Sequence, residues 1–116
     1  MKNTQPPVSS TDVLLVLCTC PDNTVAQTLA KTLVEKRLAA CVNISSAIQS
    51  VYYWQGDVHQ DNEVLMMIKS TLQAWEKLEQ TLLELHPYDV PEIIALPVMA
   101  GSKDYLNWVG ENVCTD

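Results

Sequence analysis

Glycine is scarce in this chain, phenylalanine is missing and basic residues are few: three Gly, no Phe and seven Lys or Arg among 116 residues. Each shortage excludes something. With glycine only at positions 56, 101 and 110, no glycine-rich loop can cradle a phosphate, which rules out a P-loop. No nucleophile elbow or metalloprotease helix occurs, and no nucleophile and base are placed together, so the chain reads as a non-enzyme. The bases Lys2, Lys31, Lys36, Arg37, Lys69, Lys77 and Lys103 are scattered among fourteen carboxylates, giving a net charge of -7. No basic stripe exists to follow a phosphate backbone, so nucleic acid is not an expected partner. The opening "MKNTQPPVSST" has two prolines, one lysine and no apolar run. It fails as a secretory signal and as a membrane span, which needs about 20 apolar residues.

What is present describes one globular domain. Hydrophobic residues make up 47% of the chain and charged residues 18%, and a domain of this size buries roughly 65% of the surface its unfolded chain exposes. We read residues 1–11 as a flexible N-terminal tail and 12–116 as a single domain of a cytoplasmic protein. The cysteines, at 18, 20, 41 and 114, are expected as reduced thiols, because a chain with its own core and no export signal does not need disulfides.

The run "VLLVLCTC" is apolar on both faces of an extended chain and predicts a doubly buried strand ended by Pro21. Asp22 is placed to cap a helix in which Val25, Leu29 and Leu33 form one stripe, ending near Lys36 and Arg37. In "AACVNISSAIQSVYYWQG" the apolar positions change from even (Val42, Ile44, Ile48) to odd (Val51, Tyr53). That shift predicts a bulge or bend around residues 45 to 50. A turn at Gln55-Gly56 returns the chain as "DVHQDNEVLMMIK", completing a long hairpin. Ser70 and Gln73 have capping-box spacing before a helix striped by Trp75, Leu78, Leu82 and Leu85, and His86-Pro87 stops it. "EIIALPVM" is a last strand, on a sheet edge because Pro97 lacks an amide donor. Ser102 is placed to cap a short C-terminal helix through Trp108. The order is the ferredoxin-like βαββαβ sandwich of the α+β class, with an additional C-terminal helix. Two main helices cover one sheet face only, yet the first and third strands are apolar on both, so an oligomer assembled through its sheets is expected.

Three groups of residues could carry chemistry. Alternate residues of a flat strand lie about 6.6 Å apart, more than the roughly 4.6 Å across which one ion bridges two sulfurs. Cys18 and Cys20 are therefore not expected to share an ion unless the chain bends, and they also read as the buried end of a strand. His86, with Glu84, Asp89 and Glu92 near in sequence, reads either as a borderline metal ligand or as a helix stop whose ring bonds free carbonyls. Asp57, His59, Asp61 and Glu63 share one face of a strand, either as ligands for a cation or as the solvated end of a hairpin. Tyr52, Tyr53 and Trp54 at the hairpin tip are expected to be buried against a neighbouring subunit.

Six segments, "VLCTCPD", "LVEKRLAACVNI", "SVYYWQGDV", "EVLMMIKST", "HPYDVPEIIALPV" and "DYLNWV", resemble the CutA family of divalent-cation-tolerance proteins in order and spacing. The resemblance spans residues 13 to 109. It implies a ferredoxin-like fold, a homotrimer built on packed sheets, a shape related to the trimeric PII signalling proteins, copper tolerance with copper binding, and no catalytic reaction. By resemblance Cys18 falls at a position linked to copper in some members, whereas Cys20 falls where alanine is common. Cys41 is also a family-like position and reads as a core thiol. Some members carry two adjacent histidines where this chain has Leu85 and His86, which removes one nitrogen ligand. Cys18 and His86 are thus the expected ligands for a copper ion. The competing expectation is a PII-like signalling or scaffold module that binds a small molecule or protein partner in clefts between subunits.

Overall fold

The computed structural model describes residues 12–114, so the tail expected at residues 1–11 lies outside the described residues. The elements follow in the order β1 (Val13–Cys20), α1 (Asn23–Glu35), β2 (Cys41–Ile44), β3 (Ile48–Trp54), β4 (Asp57–Thr71), α2 (Trp75–Leu85), β5 (Ile93–Pro97) and α3 (Lys103–Asn112). The sheet has the order β2-β4-β1-β5, with β3 pairing along the outer half of β4. All of its pairings are antiparallel. This is the expected α+β ferredoxin-like arrangement with one extra helix. Pro97 lies in β5, whose one partner is β1, so its missing amide costs no ladder bond.

The helices form where side-chain chemistry allows. The Asp22 carboxylate accepts the Val25 amide at 2.9 Å and caps α1. The helix ends at Glu35, and Arg37 takes a positive φ of 61°, so the chain turns sharply under the sheet. The Arg37 guanidinium then donates to the carbonyls of Asn112 and Glu111, both at 3.1 Å. This one cation on the last carbonyls of α3 fastens that helix to the end of α1.

Two expected caps are not made. The Ser70 hydroxyl is fully buried and donates to the Leu38 carbonyl at 2.7 Å, so it is unavailable to a helix. A turn of 3-10 helix over Leu72–Ala74 precedes α2, which begins without a side-chain cap. Ser102 does sit at the start of α3, but its hydroxyl makes no cap bond, and the helix runs past Trp108 to Asn112.

One face of the sheet carries the main core. Leu14, Val16, Cys18 and Cys20 of β1 and Val64, Met66 and Ile68 of β4 pack against Ala26, Leu29 and Leu33 of α1 and Leu78 and Leu82 of α2. A smaller cluster, Val13, Ala74, Leu106, Val109 and Val113, seats α3 at the end of the sheet. On the opposite face Leu15, Leu17, Leu65 and Met67 are half-exposed, as the two-sided apolar pattern of β1 and β4 requires.

The phase change between β2 and β3 is a single extra residue. Ile44 pairs with Met66 and Ile48 with Glu63, so residues 45 to 47 stand opposite only two residues of β4. Ser45 holds the break: its amide donates to the Leu65 carbonyl at 2.9 Å and its hydroxyl accepts the Leu65 amide at 2.8 Å. Beyond it β3 and β4 form an arm closed by Gln55 and Gly56, both at positive φ, 51° and 85°. Two successive positive φ values are the type I′ hairpin turn, for which glycine is suited.

Leu82 is fully buried and its carbonyl accepts the His86 amide at 2.8 Å, at the end of α2. Leu82→Ala should lower unfolding stability by about 2–5 kcal/mol, read as a urea midpoint at fixed protein concentration. A loss below about 1 kcal/mol would contradict this packing.

Candidate functional site

The end of β1 meets the end of α2. Pro87 disfavours helical backbone at the preceding residue, and His86 accordingly leaves the helix with φ -72° and ψ 137°. On the sheet side, β5 begins at Ile93 opposite Cys18, so Thr19 and Cys20 extend past that neighbour. The His86 ring fills the position. Its Nε2 lies 2.8 Å from the Thr19 carbonyl and its Nδ1 accepts the Tyr88 amide at 3.1 Å. A carbonyl only accepts, so Nε2 carries the proton and the ring is neutral. Both nitrogens are engaged.

Beside this ring lie two thiols. The sulfurs of Cys18 and Cys20 and a ring nitrogen of His86 all fall within 4.8 Å of one another, and all three residues are buried. Among the described residues this is the one group of three or more His, Cys, Asp or Glu side chains so gathered. The structure therefore joins Cys18 to His86, distant in sequence, and adds Cys20. The expectation that strand rise keeps the two thiols apart does not hold. Rise fixes the separation of Cα atoms, but both side chains leave the same face, and rotation about χ1 can carry the sulfurs toward one another. All four cysteines are unbridged. Cys41 is half-buried and takes no part in the group.

The two thiols are electrostatically unequal. Contact with Cys20 pushes the Cys18 thiol far up from its ordinary value, and burial and the Glu92 and Glu63 carboxylates add to the rise. The same contact lowers the Cys20 thiol, against burial and the repulsion of Glu63 and Asp22. Cys20 is therefore the more readily ionised thiol of the pair.

The row Asp57, His59, Asp61 and Glu63 shares one face of the β4 arm, but it does not form a ligand cluster. His59 stacks on Tyr52 with centroids 5.6 Å apart, Asp61 accepts the Tyr52 hydroxyl, and Glu63 is buried and accepts the Tyr88 hydroxyl at 2.7 Å. Tyr52, Asp61, Glu63 and Tyr88 line a cleft of about 560 Å3 with Trp54, Asp89 and Glu92. Sequence reading had missed this cleft and the role of Tyr88, which lies in the loop after α2 and reaches Glu63 across 25 positions of sequence.

The arrangement resolves the family. The CutA1 divalent ion tolerance protein model matches residues 14–112. The chain belongs to the CutA family. It is 52% identical over 98 residues, 84% of this chain and 95% of the relative, to the divalent-cation tolerance protein CutA of Thermus thermophilus. The Cut A1 structure from that organism superposes with a TM-score of 0.86 at 50% identity, over 88% of this chain and 99% of the other. A structure from Archaeoglobus fulgidus, named as a periplasmic divalent cation tolerance protein CutA, gives 0.83 at 33% identity, over 86% and 97% of the two chains. In the present CutA chain, no helix among the described residues is long and apolar enough to cross a membrane.

Tyr88 gives this site a pH signature. Burial first, and then donation to Glu63, push its hydroxyl well above the ordinary tyrosine value. The folded state therefore keeps this proton while the unfolded chain loses it near pH 10. Stability from this group is complete below that pH and falls as pH rises through the folded value. The urea midpoint of the wild type should thus decline more steeply above pH 10 than that of Tyr88→Phe, which should be the less stable of the two at pH 8. Parallel curves would show that Tyr88 does not hold its proton in this contact.

Proposed function

We propose that this CutA-family chain is a homotrimeric, cytoplasmic copper-binding protein acting in metal-ion tolerance by binding and not by catalysis. The observation that carries the metal reading is the convergence of Cys18, Cys20 and His86. Sulfur and imidazole donors without a carboxylate suit copper better than magnesium or calcium. The buried setting supplies a dry, low-dielectric shell, and the unbridged thiols fit a reducing compartment. Cys18 and His86 remain the expected ligands, now with Cys20 beside them. His86 can join an ion only by giving up the Thr19 carbonyl or the Tyr88 amide, so it contributes less than the thiols.

Reduced protein titrated with copper, zinc, magnesium and calcium should bind copper in preference to the last two. Binding should fall sharply in Cys18→Ser and Cys20→Ser and partly in His86→Ala. Unchanged binding in all three variants would leave the group as the closed end of a strand. The cleft beneath Tyr88 favours a second reading, a PII-like module binding a small molecule or protein partner. Under it, copper would bind weakly and without fixed stoichiometry.

The trimer reading rests on exposed apolar surface. Tyr53 is 73% exposed, Val51 66% and Val58 69%, and Trp54 stands at the base of the same turn. Surface of this kind along a projecting arm is suited to a neighbouring subunit. Light scattering should give close to three times 12.9 kDa. Trp54→Ala should weaken assembly by about 2 kcal/mol or more, seen as dissociation on dilution. A wild-type monomer at micromolar concentration would overturn the assembly, and an unaltered trimer in Trp54→Ala would remove that anchor.

A further inference from the structure

Met66 stands directly opposite Cys18 in the β1–β4 ladder. Both are fully exposed to the core and wholly shielded from solvent, at 0% exposure, and both belong to the cluster under α1 and α2. Directly opposed residues of an antiparallel pair have Cβ atoms about 4.5–5.5 Å apart. The three rotatable bonds of methionine let its thioether fill irregular space around a neighbour. Met67, next in sequence, points to the opposite face and is only half-buried.

We propose that Met66 supplies a third sulfur to the Cys18–Cys20 group and that the ion held there is monovalent copper. The inference rests on the metal reading above and narrows it to one oxidation state. Thiolate and thioether donors select Cu(I). Zinc sites instead complete a tetrahedron from Cys, His and carboxylate ligands or water. Here only two cysteines and one histidine converge, the histidine has both nitrogens engaged, and the setting is closed to water. Three sulfurs without a fourth donor form a sufficient shell for Cu(I) and an incomplete one for zinc. His86 thereby leaves the ligand set given above: its two nitrogens keep their hydrogen bonds, and it acts as a positioning residue through the Thr19 carbonyl.

The test is anaerobic competition for Cu(I) between the full chain and a chromophoric Cu(I) chelator, with X-ray absorption at the copper edge to count sulfur neighbours. Met66→Leu conserves volume, as buried cores tolerate, and Met67→Leu is the same change on the other face. Wild type should show three sulfurs and Met66→Leu two, with affinity lowered about tenfold or more, the scale on which groups around a metal act. Met67→Leu should match wild type. If Met66→Leu keeps both affinity and sulfur count, Met66 is not a ligand, while the thiol site itself stands. If equimolar zinc displaces Cu(I) from wild type, the assignment to monovalent copper fails. If wild type takes up no Cu(I), or Cys18→Ser binds it equally well, the underlying metal reading fails.

Discussion

The ladder between β1 and β4 is the constraint on which the rest depends. Eight consecutive residue pairs, from Val13 opposite Thr71 to Cys20 opposite Val64, fix which side chains of the two central strands face the helices. A slip of β4 by one residue would turn Val64, Met66 and Ile68 away from the core and bring Leu65, Met67 and Lys69 into it. The helix-facing set is buried and continuous, whereas Lys69 pairs with Asn43 on the other face. Burying that ammonium would cost several kcal/mol, so charge and apolar area both reject the alternative register.

From that ladder the site follows by two terminations. β5 stops pairing at Cys18, and α2 stops at Leu85 because the residue before Pro87 cannot easily stay helical. Each termination leaves backbone groups that need partners, and His86 serves both. Its ring joins the Thr19 carbonyl to the Tyr88 amide, and Tyr88 carries the connection on to Glu63. The buried thiols and the acidic cleft thus lie on opposite faces of the sheet and share one hydrogen-bonded path. Movement of the imidazole would be felt at both.

Much of this was legible in the sequence because it rests on local periodicity. The doubly apolar β1, the Asp22 cap, the parity change after Ile44 and the Gln55-Gly56 turn are short-range signals, and each appears where its chemistry requires. The capping box at Ser70 failed because a tertiary bond won: the hydroxyl is claimed by Leu38, 32 positions away in sequence. The Tyr88–Glu63 contact was likewise not legible, since it depends on the loop after α2 folding back across β4. Family resemblance placed Cys18 and His86 at one site, but the ring's double engagement is a fact of three-dimensional geometry alone.

The two cysteines show where a rule about backbone stops being a rule about side chains. Strand rise sets a distance between Cα atoms, and on a fully exposed flat strand that distance would pass to the side-chain tips. Here the strand end lies beneath α2 in a closely packed core, where neighbouring side chains limit which rotamers fit. The sulfurs of Cys18 and Cys20 lie within 4.8 Å of each other and of a nitrogen of the same imidazole. Packing has thereby brought two strand-spaced thiols together without bending the chain out of its ladder with β4. A thiol pair gathered in this way is held by the surrounding core, so its geometry is as rigid as the packing of Val64, Met66 and Leu82 around it.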